Sequence, residues 1–303
     1  MTTFDEYRAL PALNFSSLKQ MAVSPLAYRD ALLHPRPDSA AMQLGRAVHC
    51  AVLEPDEFPR RYMLYPSSFL AREDLNRATK AGKEFEADWL SADPSRVRVA
   101  DAAAWKRAVF STEFPGVEVL DVTDYQTALA IRDAVRSHGP AIARLTDGAA
   151  EQVLQWVDES TGRACKARCD WISASAIVDL KTTAWLTPGR WSTEVARRQY
   201  HVQLAWYLDG ARAAGHTAHE GVLVGVESAP PYDVGVWSLD SDALGLGRET
   251  YRAWLDRLAT CERTGNWPGC YPQEETLGLP RWAYGPDEGD EFEVVSDERR
   301  DAQ

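Results

Sequence analysis

An α/β fold with a helical N-terminal extension is what the sequence predicts, and three observations carry that expectation. Five stretches have the β-branched, alternating composition of strands: 151–158, 164–172, 176–183, 220–229 and 232–240. A helical stretch at 193–213 separates the first three from the last two. Most of the chain before them has helical spacing and helical caps. Strands grouped around a crossover helix, with further helices before and after, fit one sheet covered by helices.

The elements follow in order. Asn14 and Ser16 are capping residues at the head of 14–33, and Ser24 followed by Pro25 starts a second short helix within it. HPRPDS at 34–39 is a break. Residues 40–54 are helical and nearly apolar, hence buried; Gly45 lies one turn before His49 and would let another backbone approach closely. A connection at 55–67 runs into a short strand, and 70–90 and 99–112 read as helices. The clearest helix is 123–139, with Thr123 as its cap and Gly139 at its end. A helix near 246–261 closes the compact part. No internal repeat or linker-like stretch divides the chain, so one domain is expected over 1–286. Residues 287–303, DEGDEFEVVSDERRDAQ, are expected to form a loose acidic tail.

Composition excludes several function classes. The 303 residues, 45% of them hydrophobic, suffice for a sizeable core. No run of 18 apolar residues is present to span a membrane, and the first residues lack the basic start and apolar run of a signal peptide. Five cysteines, at 50, 165, 169, 261 and 270, are an odd set without an export signal, which fits reduced thiols in the cytoplasm. Cys165 and Cys169 have no CxxC or Cys/His partner pair to complete a zinc site. The net charge of −12 argues against a general nucleic-acid coat protein, though not against an enzyme with a local positive groove. Neither a G-x-x-x-x-G-K-[ST] phosphate loop nor a G-x-S-x-G nucleophile turn occurs.

The chemistry concentrates in CDWISASAIVDLKTT, 169–183, where one lysine and two aspartates interrupt two apolar strands. Read as a hairpin centred between Ala174 and Ser175, this stretch sets Asp170 across from Asp179. Opposed Cβ atoms lie roughly 4.5–5.5 Å apart, so the two carboxylates repel unless a cation sits between them. Asp179 and Lys181 share a strand face, as do Arg168 and Asp170. Two carboxylates suit Mg2+ or Mn2+, and a lysine beside them can orient water or stabilise charge on phosphorus. A surface ion network of the same four side chains is the alternative reading of so short a pattern.

The pattern extends beyond the hairpin. LGRAVHCAVLEPDEF (44–58), TGRACKARCDWI (161–172), IVDLKTT (177–183), YHVQLAWYLDG (200–210) and VESAPPYDVGVWSLD (226–240), with SSLKQMAVSPLAY (16–28) ahead of them, make an ordered set over residues 14–272. It resembles the RecB-like branch of the PD-(D/E)xK nuclease superfamily, and within it the RecE-type exonuclease domain of phages and prophages. The sequence departs from the motif in having Cys169 where the proline would stand, and aspartate rather than glutamate at Asp179.

The resemblance implies a restriction-endonuclease-like core, a central mixed β-sheet flanked by helices. It implies metal binding by His49, Asp170 and Asp179, with Glu151, Lys181 and Gln203 completing the catalytic set. Gln203 and Tyr207, i and i+4 on one helix, would contact DNA along with Lys166 and Arg168; each could equally be ordinary packing or surface charge. The implied activity is Mg2+-dependent hydrolysis of duplex DNA from its ends, in the 5′-to-3′ direction, exposing a single strand for recombination. A ring-like homo-oligomer threaded by DNA and a single-strand annealing recombinase as partner come with it. A structure-specific endonuclease of the same fold and a non-catalytic DNA-end binding module remain as alternatives; the catalytic lysine counts against the second.

Overall fold

The computed structural model describes residues 4–34, 39–99 and 101–280, and the acidic stretch at 287–303 lies outside them. Two short strands, β1 (Tyr62–Leu64) and β2 (Glu118–Leu120), pair in parallel. The main sheet contains β3 (Gly148–Asp158), β4 (Arg163–Ser173), β5 (Ala176–Thr183), β6 (Glu220–Glu227) and β7 (Val234–Ser238), in that spatial order. Neighbours are antiparallel except β5 and β6, which run parallel because the helices between them carry the chain back to the starting edge. The mixed sheet flanked by helices agrees with the fold class that the sequence predicts.

Each face of the sheet buries its own core. Ile177 and Leu223 face the helices Tyr200–Ala213 and Ser241–Thr264, which contribute Leu204, Trp206, Tyr251 and Leu255. The alternate residues Val178, Leu180, Val222 and Val224 face the helices Ala40–Leu53 and Val122–Ser137, which contribute Val48, Ala51 and Ile131. β5 and β6 are thus covered on both sides, which accounts for their nearly continuous apolar runs. Each such side chain contributes about 1.5–3 kcal/mol on burial. A third cluster, of Phe69, Leu75, Trp105, Val109 and Phe110, consolidates the segment that carries β1 and β2. There Glu86 accepts hydrogen bonds from Arg98 and Arg77, which together offset its burial.

Several element boundaries differ from the sequence reading. The helix expected at 123–139 is Val122–Ser137, capped by Asp121, whose carboxylate accepts from the Asp124 N–H at 2.8 Å. Gly139 does not end it but opens a further helix, Gly139–Arg144, behind the cap His138. The helix expected at 193–213 is two, Pro188–Arg198 and Tyr200–Ala213, divided at Gln199 with φ of 60°. No glycine or proline marks that division, so helical spacing runs through it. Gly45 admits no close neighbour: nothing lies within 4 Å of where its Cβ would be. The β4–β5 turn closes without an Asn-Gly pair; the Ser173 Oγ accepts from the Ala176 N–H at 3.1 Å instead.

Candidate active site

The pairing registers set up one row of carboxylates. β4 and β5 pair at Trp171–Val178 and Ile172–Ile177, so the next step of the same register sets Asp170 against Asp179. β3 and β4 pair at Ala150–Trp171 and Gln152–Cys169, and the position between them sets Glu151 against Asp170. Neither acid pair is joined by the backbone ladder. Glu151, Asp170 and Asp179 thus occupy consecutive strands at one level of the sheet.

The pleat breaks at this level. Cys165, Ala167 and Cys169 pack on the side of the Tyr200–Ala213 helix, yet Trp171 packs on the opposite side and Ile172 returns to the first. In β3, Leu154 and Ala150 likewise fall on opposite sides although their spacing would put them on one. The inversion in β3 coincides with Glu151, whose φ of 54° lies in the left-handed region. For a residue with a side chain this costs on the order of 1–3 kcal/mol, and such strain concentrates at functional sites. Asp170 takes over part of the ladder's work: its Oδ2 accepts the Leu180 N–H at 2.8 Å.

Helices from both faces converge on the row. From the Ala40–Leu53 helix, His49 brings its Nδ1 to 3.4 Å from Asp170 Oδ1. From the Tyr200–Ala213 helix, Gln203 Nε2 donates to Asp179 Oδ1 at 3.3 Å and to the Tyr207 hydroxyl at 2.7 Å. Lys181 Nζ lies 2.5 Å from Asp179 Oδ2 and 5.0 Å from the centre of the Tyr200 ring. Arg168 Nε lies 2.7 Å from Glu151 Oε2, and its guanidinium covers the Phe4 ring at 5.2 Å.

The electrostatics are those of a buried carboxylate cluster in which each acid has one cationic partner. Burial foremost, and then Asp170, push Glu151 up to about 7 against the pull of Arg168. Burial likewise pushes Asp179 up to about 6, with Lys181 opposing and Asp170 assisting. Burial would raise Asp170 as well, but His49, Lys181 and the Leu180 N–H outweigh it and hold the carboxyl at about 2. His49 is raised because Asp170 overcomes the burial that would lower it. Lys181 is raised in the same way, burial being outweighed by Asp179 and Asp170.

A divalent cation fits this donor set. One ligand atom each from His49, Glu151 and Asp170 lie within 4.8 Å of one another. Two carboxylates with one imidazole suit Mn2+ or Mg2+. Asp179 Oδ2 is buried and meets the Lys181 ammonium as a close ion pair beside this group. The ligands bind deprotonated, so cation uptake displaces protons and strengthens as pH rises through the Glu151 value.

Two expected DNA contacts are corrected. Lys166 is 3% exposed, and its Nζ donates to the carbonyls of Tyr7, Arg8 and Leu10 at 2.7, 3.1 and 2.8 Å. It ties the N-terminal helix Phe4–Ala9 to the sheet and has no face left for a phosphate. Tyr207 is 8% exposed and accepts from Gln203, so it supports that side chain from beneath rather than reaching DNA. Arg168 is drawn to Glu151, and Asp179 lies outside the three-ligand group, beside Lys181. Two partners were missed by sequence reasoning. The Arg168–Glu151 pair follows from the β3–β4 register, for which the sequence carries no separate signal. The contact of Tyr200 with Lys181 joins this helix to β5, and helical spacing, which only puts Tyr200 on the stripe of Gln203 and Tyr207, does not announce it.

Comparison with known proteins bears on the family and the fold. The family model described as a PDDEXK-like domain of unknown function (DUF3799) matches residues 14–274. The fold is similar to the crystal structure of a candidate exonuclease from Eubacterium rectale, with a TM-score of 0.56, 15% sequence identity, and coverage of 96% of this chain and 99% of that one. A second crystal structure, of SSO0001, aligns over 64% of this chain and 90% of its own at 14% identity and a TM-score of 0.27, and carries no argument. No curated protein matches the chain.

Proposed function

We propose that this chain, which belongs to the PDDEXK-like family DUF3799, is a metal-dependent deoxyribonuclease that hydrolyses phosphodiester bonds from the ends of duplex DNA. The observation that carries the reading is the row Glu151–Asp170–Asp179 with His49 on one side and Lys181 on the other. His49, Glu151 and Asp170 would hold the cation. Bound there, Mg2+ or Mn2+ supplies Lewis-acid polarisation of a phosphoryl oxygen and a more acidic water.

The remaining side chains position and neutralise. Asp179 and Asp170 keep Lys181 protonated, so it serves as a charge rather than as a base. Its ammonium can donate to a phosphoryl oxygen as negative charge develops there. Gln203 fixes the Asp179 carboxylate, and Tyr207 fixes Gln203. The left-handed backbone at Glu151 keeps its carboxylate level with Asp170.

End dependence, the 5′-to-3′ direction, and the single-strand annealing partner follow the RecE-type resemblance; the described exonuclease nature of the Eubacterium rectale protein agrees with the first of these. A ring-like assembly would reconcile an acidic chain with a positive interior. The test is cleavage, with Mg2+ or Mn2+, of a linear duplex labelled at either 5′ or 3′ end beside a covalently closed circle of the same sequence. The expected result is release of nucleotides from the linear substrate, early loss of the 5′ label, an intact circle, and no reaction in EDTA. Cutting of the circle at a comparable rate would contradict end dependence.

A further inference from the structure

Beyond the carboxylate row, a second surface follows directly on the catalytic strand. β5 ends at Thr183, and the next turn is held from two sides. The Trp185 N–H donates to Thr183 Oγ1 at 3.3 Å, and the Leu186 N–H donates to Glu227 Oε1 at 3.0 Å. Leu186 is thereby buried while Trp185, four residues past Lys181, stands 55% exposed. Exposure alone would mean little, but this ring is presented by a backbone held on both sides and has a cation over one face. Arg190 lies over that ring at 4.9 Å, so the indole is already one half of a cation–π stack.

The Pro188–Arg198 helix continues the surface. It turns Trp191 into the core and leaves Arg190, Arg197 and Arg198 outside. Among the described residues neither Arg190 nor Arg197 has an ion-pair partner. Arg198 meets Glu194 at 3.0 Å, an exposed pair of the kind worth little, so the guanidinium remains available. Lys19 donates to the Arg198 carbonyl at 2.6 Å and lies within charge–charge reach of both Arg198 and Lys181. Cations thus extend from the catalytic lysine along this helix, in a chain whose net charge is −12.

We propose that this surface holds a single-stranded stretch of DNA beside the scissile site, with Trp185 stacking on a base and Arg190, Arg197 and Arg198 neutralising its phosphates. The indole decides between strand types. Bases inside a duplex have no free face to offer a side chain, whereas an unpaired base does, and a cationic groove with aromatic platforms is the general means of binding single strands. The choice of DNA rests on the nuclease reading above; the stacking and the charge complementarity do not.

The test is fluorescence anisotropy of a fluorescein-labelled oligodeoxythymidylate with the full chain in EDTA, where metal-dependent cleavage is excluded. The series comprises wild type, Trp185→Ala, Trp185→Phe and Arg197→Ala over a range of salt. Trp185→Ala should weaken binding about tenfold, and Trp185→Phe should recover most of the loss. Arg197→Ala should lower the salt slope by about 0.7, one single-strand phosphate contact. All these side chains are exposed, so each variant should keep its fold, which circular dichroism checks. Unchanged affinity in Trp185→Ala would overturn the proposal. So would displacement of the oligonucleotide by polyglutamate as readily as by unlabelled oligomer, or a loss of blunt-duplex affinity in Trp185→Ala equal to the loss for the single strand. If these affinities hold while no DNA is cleaved under any metal, the nuclease reading fails and this one stands. If DNA is cleaved while Trp185→Ala binds as wild type, the reverse is true.

Discussion

At the scale of single residues, Lys181 is the sharpest case. Asp179 and Asp170 hold it in the charged form, and it lies against Asp179 with only 16% of its side chain exposed. Lys181→Ala should therefore slow single-turnover cleavage by at least about a hundredfold, the order of one lost electrostatic stabiliser. Duplex affinity should change little, because one buried ammonium adds little to the phosphate contacts of an extended substrate. Lys181→Arg should rescue poorly, since a planar fork does not replace a compact ammonium. Single-turnover rates at saturating enzyme, paired with an affinity measured in Ca2+, check both; equal losses in rate and affinity would make Lys181 a phosphate clamp. The opposition of Asp170 and Asp179 was legible in the sequence because a hairpin's symmetry axis fixes its register. Lys166 was not, because strand parity alone does not say that the N-terminal helix will cover that position and present three carbonyls to its ammonium. Glu151 could be placed at the head of a strand, but nothing in the letters announces a positive φ at a glutamate.

At the scale of elements, the Tyr200–Ala213 helix is the part that must be held still, since it carries Gln203 and Tyr207. The Ser241–Thr264 helix crosses it at Gly247, where an added Cβ would come within 2.6 Å of the His201 carbonyl oxygen and 2.9 Å of its carbon. Those atoms are backbone and cannot swing aside. Gly247→Ala should cost about 1–3 kcal/mol by overpacking despite its better helix propensity. It should also lower the cleavage rate, because the displaced helix moves Gln203 off Asp179. Thermal unfolding and the cleavage rate of this variant test the point, and a gain in melting temperature would contradict it. The helices and strands themselves were largely readable from periodicity and caps. The divided helix at Gln199 was not, because the chain breaks there without a breaker residue, and the cap at Asp121 lies only two residues from the expected Thr123.

At the scale of the whole molecule, the fold sets two helical layers against one mixed sheet, and the carboxylate row lies where the backbone ladder between β3, β4 and β5 is interrupted. Side chains from both layers meet there, His49 from one and Gln203 from the other. Among the described residues no helix is long and apolar enough to cross a membrane. The fold class was legible in the order of elements. The meeting of His49 with Glu151 and Asp170 was not derivable from spacing, since these three positions lie on three separate elements, and only the family resemblance pointed to His49. That meeting is the central claim, and calorimetric titration of Mn2+ into wild type and Asp170→Asn tests it most directly. Asparagine keeps an oxygen for the Leu180 N–H, so the sheet should survive, while the ligand charge shared with His49 and Glu151 is lost. The account predicts a saturable binding event in wild type that Asp170→Asn abolishes with its circular dichroism spectrum unchanged; full-strength Mn2+ binding by the folded variant would contradict it.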